Sequence, residues 1–160
     1  MAIAHVYQRD NVNTDEIIPA RYLNSDNLEE LATHCMEDMD KNFMKKCKEG
    51  DIVVCGEDFG CGSSREHAVW AIQGAKIKAI VAKSFARIFY RNCIDCGFYP
   101  IELPDANQVI NDGDEVSVDL IAGTIQNITQ NKTIKFNPLP PFALELIADG
   151  GLIKHISKKK

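Results

Sequence analysis

Three short apolar runs separated by helix-length segments constrain the fold of this chain more than any other feature. The runs are residues 51–55, 77–82 and 98–103, and the segments between them, 63–74 and 84–95, have the character of helices. Short continuous apolar runs bounded by turn residues are typical of strands buried on both faces. Their alternation with helices predicts crossover connections and a partly parallel sheet.

The segments before the first apolar run predict a strand, a loop and a helix. Residues 3–8 suit a short strand, and the polar stretch 9–15 that leads to Pro19 suggests a loop with a fixed course. A helix is predicted from residue 28 to a basic end at 45–48, ahead of Gly50, from apolar residues at three- and four-residue steps: Leu28, Leu31, Cys35, Met39 and Phe43. Asp26 or Asn27 is the expected N-cap of this helix, and Ser84 that of the helix over 84–95.

The last third of the chain changes to antiparallel strands. Apolar and polar residues alternate over 116–120, and turns then lead to strand-like segments at 125–128 and 133–136. A short helix is expected over 142–148, and Lys158–Lys160 should form a solvated tail. The prediction is one α/β domain over residues 1–160: a mixed, partly parallel sheet flanked by helices, with an antiparallel C-terminal annex.

Composition excludes several classes of protein. The chain has 160 residues, a formal charge of −5 and 45% hydrophobic residues. An acidic chain offers no broad basic surface for nucleic acid or an anionic membrane. The first ten residues lack the basic start and long apolar segment of a signal peptide, which favours a cytoplasmic protein with reduced thiols.

The glycine–serine turn at residues 60–68 is the most informative motif. It follows an apolar run and begins a helix, whose exposed amides and positive dipole end favour an anion. Arg65 is suited to gripping a carboxylate with two hydrogen bonds. Ser63 and Glu66 also have capping-box spacing, so mere helix capping is an alternative. A nucleotide-phosphate loop is a poorer fit, because neither the dinucleotide nor the Walker pattern is complete.

Three motifs in order carry a family resemblance: residues 13–23, residues 60–68 and residues 84–92. Together they resemble the swivel domain of the aconitase superfamily. In chain length and in the residues of the motifs, the sequence most resembles the small-subunit family of the isopropylmalate dehydratases. The resemblance covers nearly the whole chain. It implies a hydro-lyase that moves a hydroxyl between adjacent carbons of a malate derivative, as in leucine biosynthesis.

The resemblance also implies that two different chains contribute to the active site. A [4Fe–4S] cluster is expected in a separate large subunit, with no cofactor or metal bound by this chain, in a heterodimer or heterotetramer. Ser63 matches the family's catalytic base and Asp15 an acidic active-site position. Ser64 and Arg65 match residues that hold a substrate carboxylate. Asn24 and Ser25 lie in the loop expected beside the variable substituent of the substrate.

Two questions stay open at this point. The loop over 22–27 contains no cation and one acid, Asp26, which favours an alkyl malate over homoaconitate, but a methylmalate or dimethylmalate hydratase is an alternative. A non-enzymatic anion-binding module is a second alternative. Cys93 and Cys96 have CxxC spacing without a second cysteine pair, and packing is their expected role. His5, His34 and His155 show no ligand spacing and are expected at surface or satisfied polar positions.

Overall fold

The computed structural model describes residues 2–22, 24, 27–62 and 66–158 of the chain. Its strands are β1 Ala2–Val6, β2 Ile52–Cys55, β3 Ala79–Ala82, β4 Tyr99–Glu102, β5 Glu115–Asp119, β6 Thr124–Asn127 and β7 Lys132–Lys135. Its helices are α1 Thr14–Ile17, α2 Leu28–Thr33, α3 Phe43–Lys46, α4 Glu66–Gly74, α5 Arg87–Asp95, α6 Ala106–Val109, α7 Pro141–Ala148 and α8 Leu152–Lys158. A short 3₁₀ helix covers Ala20–Tyr22.

A single seven-stranded sheet runs in the order β4-β3-β2-β1-β5-β6-β7. The first four strands in this order are parallel, and the rest are antiparallel. Strand β1 joins the two halves, since it pairs with β2 in parallel and with β5 antiparallel. The predicted fold class, a partly parallel sheet with an antiparallel C-terminal annex, is confirmed.

The central strands β2 and β3 are buried on both faces, as the apolar runs predicted. Alternate residues of β2 point to opposite sides: Val53 packs with α2, α4 and α5, whereas Ile52 and Val54 pack with α6 and α7. Every residue of β2 and β3 is fully buried. No helix among residues 2–22, 24, 27–62 and 66–158 is both long and apolar enough to cross a membrane.

The single helix predicted over 28–48 is wrong, because the chain forms two short helices, α2 and α3, with turns between them. Asn27 does cap α2, accepting hydrogen bonds from the amides of Glu29 and Glu30. The break comes at Met36, which has a left-handed backbone (φ 61°) and a fully buried side chain. The Met36 amide donates to the carbonyl of Ile17 at 2.7 Å. A tertiary hydrogen bond has thus replaced a helical one.

One further prediction, about the start of a helix, is wrong. Ser84 does not cap α5, which begins at Arg87; its hydroxyl accepts from the amide of Asp58 at 2.8 Å. A helix that the sequence interpretation did not predict, α8, follows α7 and ends at Lys158, the first residue of the predicted tail; residues 159–160 of that tail lie outside the described residues. This helix is held to the end of α7 by a 2.7 Å contact between the His155 imidazole and the Asp149 carboxylate. The chain ahead of Lys158 is therefore part of the fold.

Gly60 offers a test of how tightly the turn after β2 is packed. It has φ +85°, and a β-carbon there would collide with the Phe89 ring; Gly113 has φ +87° with nothing within 4 Å. Alanine at either position pays the same backbone strain, about 1–2 kcal/mol. We expect Gly60→Ala to lose about 1–3 kcal/mol more, from overpacking. Urea unfolding of both variants measures the difference, and equal losses would contradict this packing.

Candidate active site

The candidate site forms where two neighbouring parallel strands end. Strands β1 and β2 pair in register, with Val6 opposite Val54, so the loops that follow them leave the same edge of the sheet. Ligands in open α/β sheets bind beyond the carboxyl ends of the strands. The first loop leads to α1 and the second, containing the glycine–serine turn, leads to α4.

Backbone hydrogen bonds join these two loops along their length. The amide of Gly56 donates to the carbonyl of Arg9 at 2.8 Å, and the amide of Asn11 donates to Glu57 at 2.7 Å. The amide of Gly60 donates to the carbonyl of Val12, and the amide of Thr14 donates to the carbonyl of Cys61, both at 2.8 Å. The loops therefore behave as a two-stranded extension of the sheet, and their residues are fixed relative to each other.

Asn13 lies at the end of this extension and contacts residues of both loops. Its side chain accepts from the amide of Asp15 at 2.8 Å, and the Glu16 carboxylate accepts from the Asn13 amide at 3.2 Å, which completes a capping box on α1. Gly62 packs directly on the Asn13 side chain: a β-carbon there would lie 2.7 Å from Asn13 Oδ1. With φ +98°, Gly62 lets the turn approach this closely.

Phe59 ties the second loop to a third one, which follows β3. Its ring is fully buried, with ring centroids 6.0 Å from Phe85 and 5.4 Å from Phe89. The Phe59 amide donates to the Ser84 carbonyl, and the Ala86 amide donates to the Phe59 carbonyl. Three successive loops at the same edge of the sheet are thus held together around the glycine–serine turn.

The predicted site residues fall into two groups. Asp15 is exposed in the first turn of α1, one residue after the Thr14 amide that binds the Cys61 carbonyl. Asn24 is exposed in a turn. The other four predicted residues lie outside the described residues: Ser25, Ser63, Ser64 and Arg65. The Thr14–Cys61 hydrogen bond brings the Asp15 motif against the start of the glycine–serine turn.

The loop that contains Asn24 is anchored by its preceding residues. The Tyr22 ring stacks on the His34 imidazole, with ring centroids 3.6 Å apart and planes at 5°. Arg21 pairs with the carboxylates of Glu37 at 3.1 Å and Asp38 at 2.9 Å. Exposed ion pairs of this kind contribute little stability individually. They nevertheless direct the chain where it enters the loop over 22–27.

The capping box of Asn13 and Glu16 is the feature of the site that the sequence interpretation missed. The segment was predicted as a loop, but α1 forms over four residues within it. A signal was present, since Asn followed three residues later by Glu has capping-box spacing ahead of the apolar pair Ile17–Ile18. Asn13 is a positioning residue whose side chain links α1 to Gly62.

Comparisons with known proteins agree in sequence and in structure. Residues 3–106 match the family model described as the aconitase C-terminal domain. A "3-isopropylmalate dehydratase small subunit" of Brachyspira hyodysenteriae is 55% identical over 151 residues, 94% of this chain and 93% of that protein. Another, "small subunit 2" of Deinococcus radiodurans, is 49% identical over 156 residues, 98% of this chain and 75% of that protein.

The same relationship holds for a solved structure. A crystal structure of 3-isopropylmalate dehydratase from Methanocaldococcus jannaschii superposes with a TM-score of 0.93 at 49% identity, covering 99% of this chain and 93% of that one. The chain belongs to the 3-isopropylmalate dehydratase small-subunit family. The expected resemblance to the aconitase swivel domain is therefore confirmed.

Membership of this family suggests a partner that carries an iron–sulfur cluster, and the cysteines of this small-subunit homologue are a poor fit for cluster ligands. Cys35, Cys55 and Cys93 are buried among apolar side chains, where loss of hydration raises the pKa of each thiol. A cluster needs several thiolates around one site, and in the part of the chain that the structure describes no group of three or more neighbouring metal-ligating side chains contains more than one cysteine. Cys61 is half-buried at the turn, and burial together with the Asp58 carboxylate raises the pKa of its thiol as well.

The remaining histidines and cysteines have structural surroundings. His5 pairs with Asp51 and His34 with Glu37, at 2.8 Å and 3.4 Å. These contacts fit the satisfied polar positions predicted for them, as does the contact of His155 with Asp149. All six cysteines are free, and Cys93 packs in the core.

Removing the Asn13 side chain should loosen the contact between the two loops. We expect Asn13→Ala to cost about 1 kcal/mol of stability, as loss of an N-cap does. Asp119→Ala is the matched control, since Asp119 Oδ1 accepts from the amides of Ile121 and Ala122 in a distant turn. Amide hydrogen exchange at Thr14 and Gly60 should accelerate in Asn13→Ala and not in the control. Equal exchange in the two variants would show that Asn13 does not hold the loops together.

Proposed function

We propose that this chain is the small subunit of a 3-isopropylmalate dehydratase, which interconverts 2- and 3-isopropylmalate by dehydration and rehydration in leucine biosynthesis. The observation that carries the proposal is the 49–55% identity, over nearly the full chain, to proteins that bear this name. The paired loops at the sheet edge support it, because they place the Asp15 motif against the glycine–serine turn. A cytoplasmic location belongs to the same proposal.

In this proposal, Ser63 removes the proton from the substrate carbon. A free serine hydroxyl has no useful basicity near neutral pH, so its surroundings must favour the alkoxide. Ser63 precedes α4 by three residues, where the amides and dipole of the nine-residue helix stabilise negative charge. Arg65 adds a positive charge nearby in sequence. The same logic lowers the pKa of thiols at helix N-termini.

The neighbouring residues hold the substrate. Arg65 grips a carboxylate with two parallel hydrogen bonds, and Ser64 donates a third. Asp15 contributes a carboxylate to the same site from the first turn of α1. Asn24 and Ser25 lie beside the variable substituent, in the loop whose entry is fixed by the Tyr22–His34 stack.

The partner in this proposal is a large subunit that holds a [4Fe–4S] cluster. The cluster supplies a Lewis acid for the substrate hydroxyl and carboxylate. The scatter of the cysteines supports the assignment of the cluster to the other chain, since no group of three or more neighbouring metal-ligating side chains among the described residues contains more than one of them. Each chain alone then lacks half of the acid–base chemistry, and activity requires both.

The loop over 22–27 supports an uncharged alkyl substituent. It contains Asp26 and no cation, so a third substrate carboxylate there would lack a counter-charge and meet a like charge. Isopropyl avoids both penalties. Discrimination against a smaller methyl group rests only on apolar contacts, each methylene contributing about 1–3 kcal/mol.

Reconstitution tests the function directly. This chain is co-expressed with a cluster-bearing large subunit, the cluster is rebuilt without oxygen, and kcat/KM is compared for 3-isopropylmalate, citramalate and homocitrate. We expect activity only when both chains are present, and the highest value for 3-isopropylmalate. A preference for homocitrate would assign specificity to a cation of the partner. Failure to form any complex would favour the anion-binding module.

Ser63→Ala should abolish turnover in the complex while assembly is retained. Loss of a helix cap costs about 1 kcal/mol, so the free energy of unfolding is measured beside the rate. Ser117→Ala, on the exposed face of β5, is the control for a general effect of removing a hydroxyl. Near-normal turnover in Ser63→Ala would contradict the assignment and point to Ser64 as the base.

Arg65→Lys should raise KM strongly, because an ammonium group cannot reproduce the planar two-point grip of a guanidinium on a carboxylate. The positive charge is kept, so the change isolates geometry from charge. Steady-state kinetics on the complex gives KM and kcat separately. Wild-type values of both would make Arg65 a structural or partner-facing residue instead.

A further inference from the structure

A second group of chemically reactive side chains lies at the opposite end of strand β2 from the candidate active site. His5 belongs to β1, Asp51 immediately precedes β2, and Cys47 immediately follows α3. One ligand atom from each, the imidazole nitrogen, the carboxylate oxygen and the thiol sulfur, lies within 4.8 Å of the other two. His5 and Asp51 are buried and Cys47 is half-buried.

The carboxylate in this group is held in place by the backbone. Asp51 Oδ1 accepts from the amide of Ile3 at 3.0 Å, and Oδ2 accepts from the amide of Lys48 at 2.9 Å. His5 Nε2 contacts Oδ2 at 2.8 Å, and its ring packs edge-on against Phe43 with centroids 5.8 Å apart. Hydrogen bonds to ligating carboxylates and fixed rings are what orient the ligands of metal sites.

We propose that His5, Cys47 and Asp51 bind one divalent transition-metal ion of the zinc class, with a water molecule as the fourth ligand. Imidazole, thiolate and carboxylate are the three donor types that Zn²⁺ takes in proteins. The proposal is independent of the dehydratase reaction, since these side chains lie away from the loops that form the candidate active site.

The distance between His5 and Asp51 is close to the one that a bound ion requires. In a tetrahedral site with ligand distances of about 2.0 Å, the imidazole nitrogen and carboxylate oxygen stand about 3.3 Å apart. His5 Nε2 and Asp51 Oδ2 therefore need to separate by about half an ångström from their hydrogen-bonded distance of 2.8 Å. Cys47 lies in the loop that leads to Asp51 and reaches solvent, so an ion has a route to the site.

Binding must displace a proton from the thiol. Burial, with the Asp51 carboxylate nearby, raises the pKa of Cys47 to about 12, so the thiol is neutral in the free protein. The ion replaces the thiol proton, which passes to solvent. It binds His5 through Nε2, and a hydrogen that Nε2 shares with Asp51 Oδ2 in the free protein moves to Nδ1 of the same ring. The Asp51 carboxylate keeps its negative charge throughout.

An occupied site would join β1 to the segment ahead of β2. A ligand that binds only the folded chain stabilises it by an amount that rises with the logarithm of its concentration relative to Kd. The expected consequence is a rise in Tm with added Zn²⁺. Since β1 also starts the loop that carries the Asp15 motif, the ion would stabilise the strand pair from which the candidate site extends.

Cobalt is the probe for the test, because Co²⁺ in a tetrahedral site with a thiolate shows visible ligand-field bands and a near-ultraviolet thiolate-to-metal band. The purified full chain is titrated with Co²⁺ and then with competing Zn²⁺. Cys47→Ser is the decisive variant, since it leaves the His5–Asp51 pair intact. Cys96→Ser is the matched control, because Cys96 is also half-buried and belongs to the CxxC pair.

We expect wild type and Cys96→Ser to bind one equivalent of Co²⁺ with the thiolate band, and Cys47→Ser to lose that band and the rise in Tm with Zn²⁺. A thiolate band retained in Cys47→Ser but lost in Cys96→Ser would assign the metal to the CxxC pair and overturn the proposal. The absence of a thiolate band in folded wild type would overturn it as well.

Discussion

The hydrogen bonds between the loops that follow β1 and β2 are the interaction on which the candidate site depends. The sequence separates the Asp15 motif from the glycine–serine turn by nearly fifty residues. Parallel pairing of two short strands brings both to one edge, and the backbone pairs from Gly56–Arg9 to Thr14–Cys61 then fix them in register. The glycines are needed here because Gly60 and Gly62 approach Phe89 and Asn13 too closely for a side chain.

In the proposed function, this arrangement lets the small subunit contribute to catalysis while the cluster belongs to its partner. Ordered loops and the start of α4 can supply anion binding and a stabilised alkoxide, both of which come from backbone amides and dipoles. They cannot supply a strong Lewis acid. The family relationship and the scatter of the cysteines over the described residues both support a partner that supplies it. The reaction is then divided according to what each chain's structure is able to provide.

Local sequence patterns predicted the helices and strands correctly where burial of apolar side chains alone determines the secondary structure. The runs 51–55, 77–82 and 98–103 became parallel strands because apolar residues on both faces leave few alternatives, and Asn27 caps α2 as expected. The predictions failed where a tertiary contact competes with a local one. The Met36 amide binds Ile17 instead of continuing a helix, and the Ser84 hydroxyl binds Asp58 instead of capping α5. Within the candidate site, the position of Asp15 at this edge of the sheet could be predicted from the order of the strands. The roles of Ser63, Ser64 and Arg65 could be predicted only from the resemblance of their motif to the family.

A crystal structure of the complex between this chain and its cluster-bearing partner, with a substrate or inhibitor bound, tests the central claim most directly. The account predicts that the ligand lies at the carboxyl ends of β1 and β2. The Ser63 hydroxyl should face its reacting carbon, Arg65 should contact a ligand carboxylate through two hydrogen bonds, and Asp15 should lie in the same site. A ligand bound elsewhere on the chain, or one that contacts neither the glycine–serine turn nor α1, would contradict it.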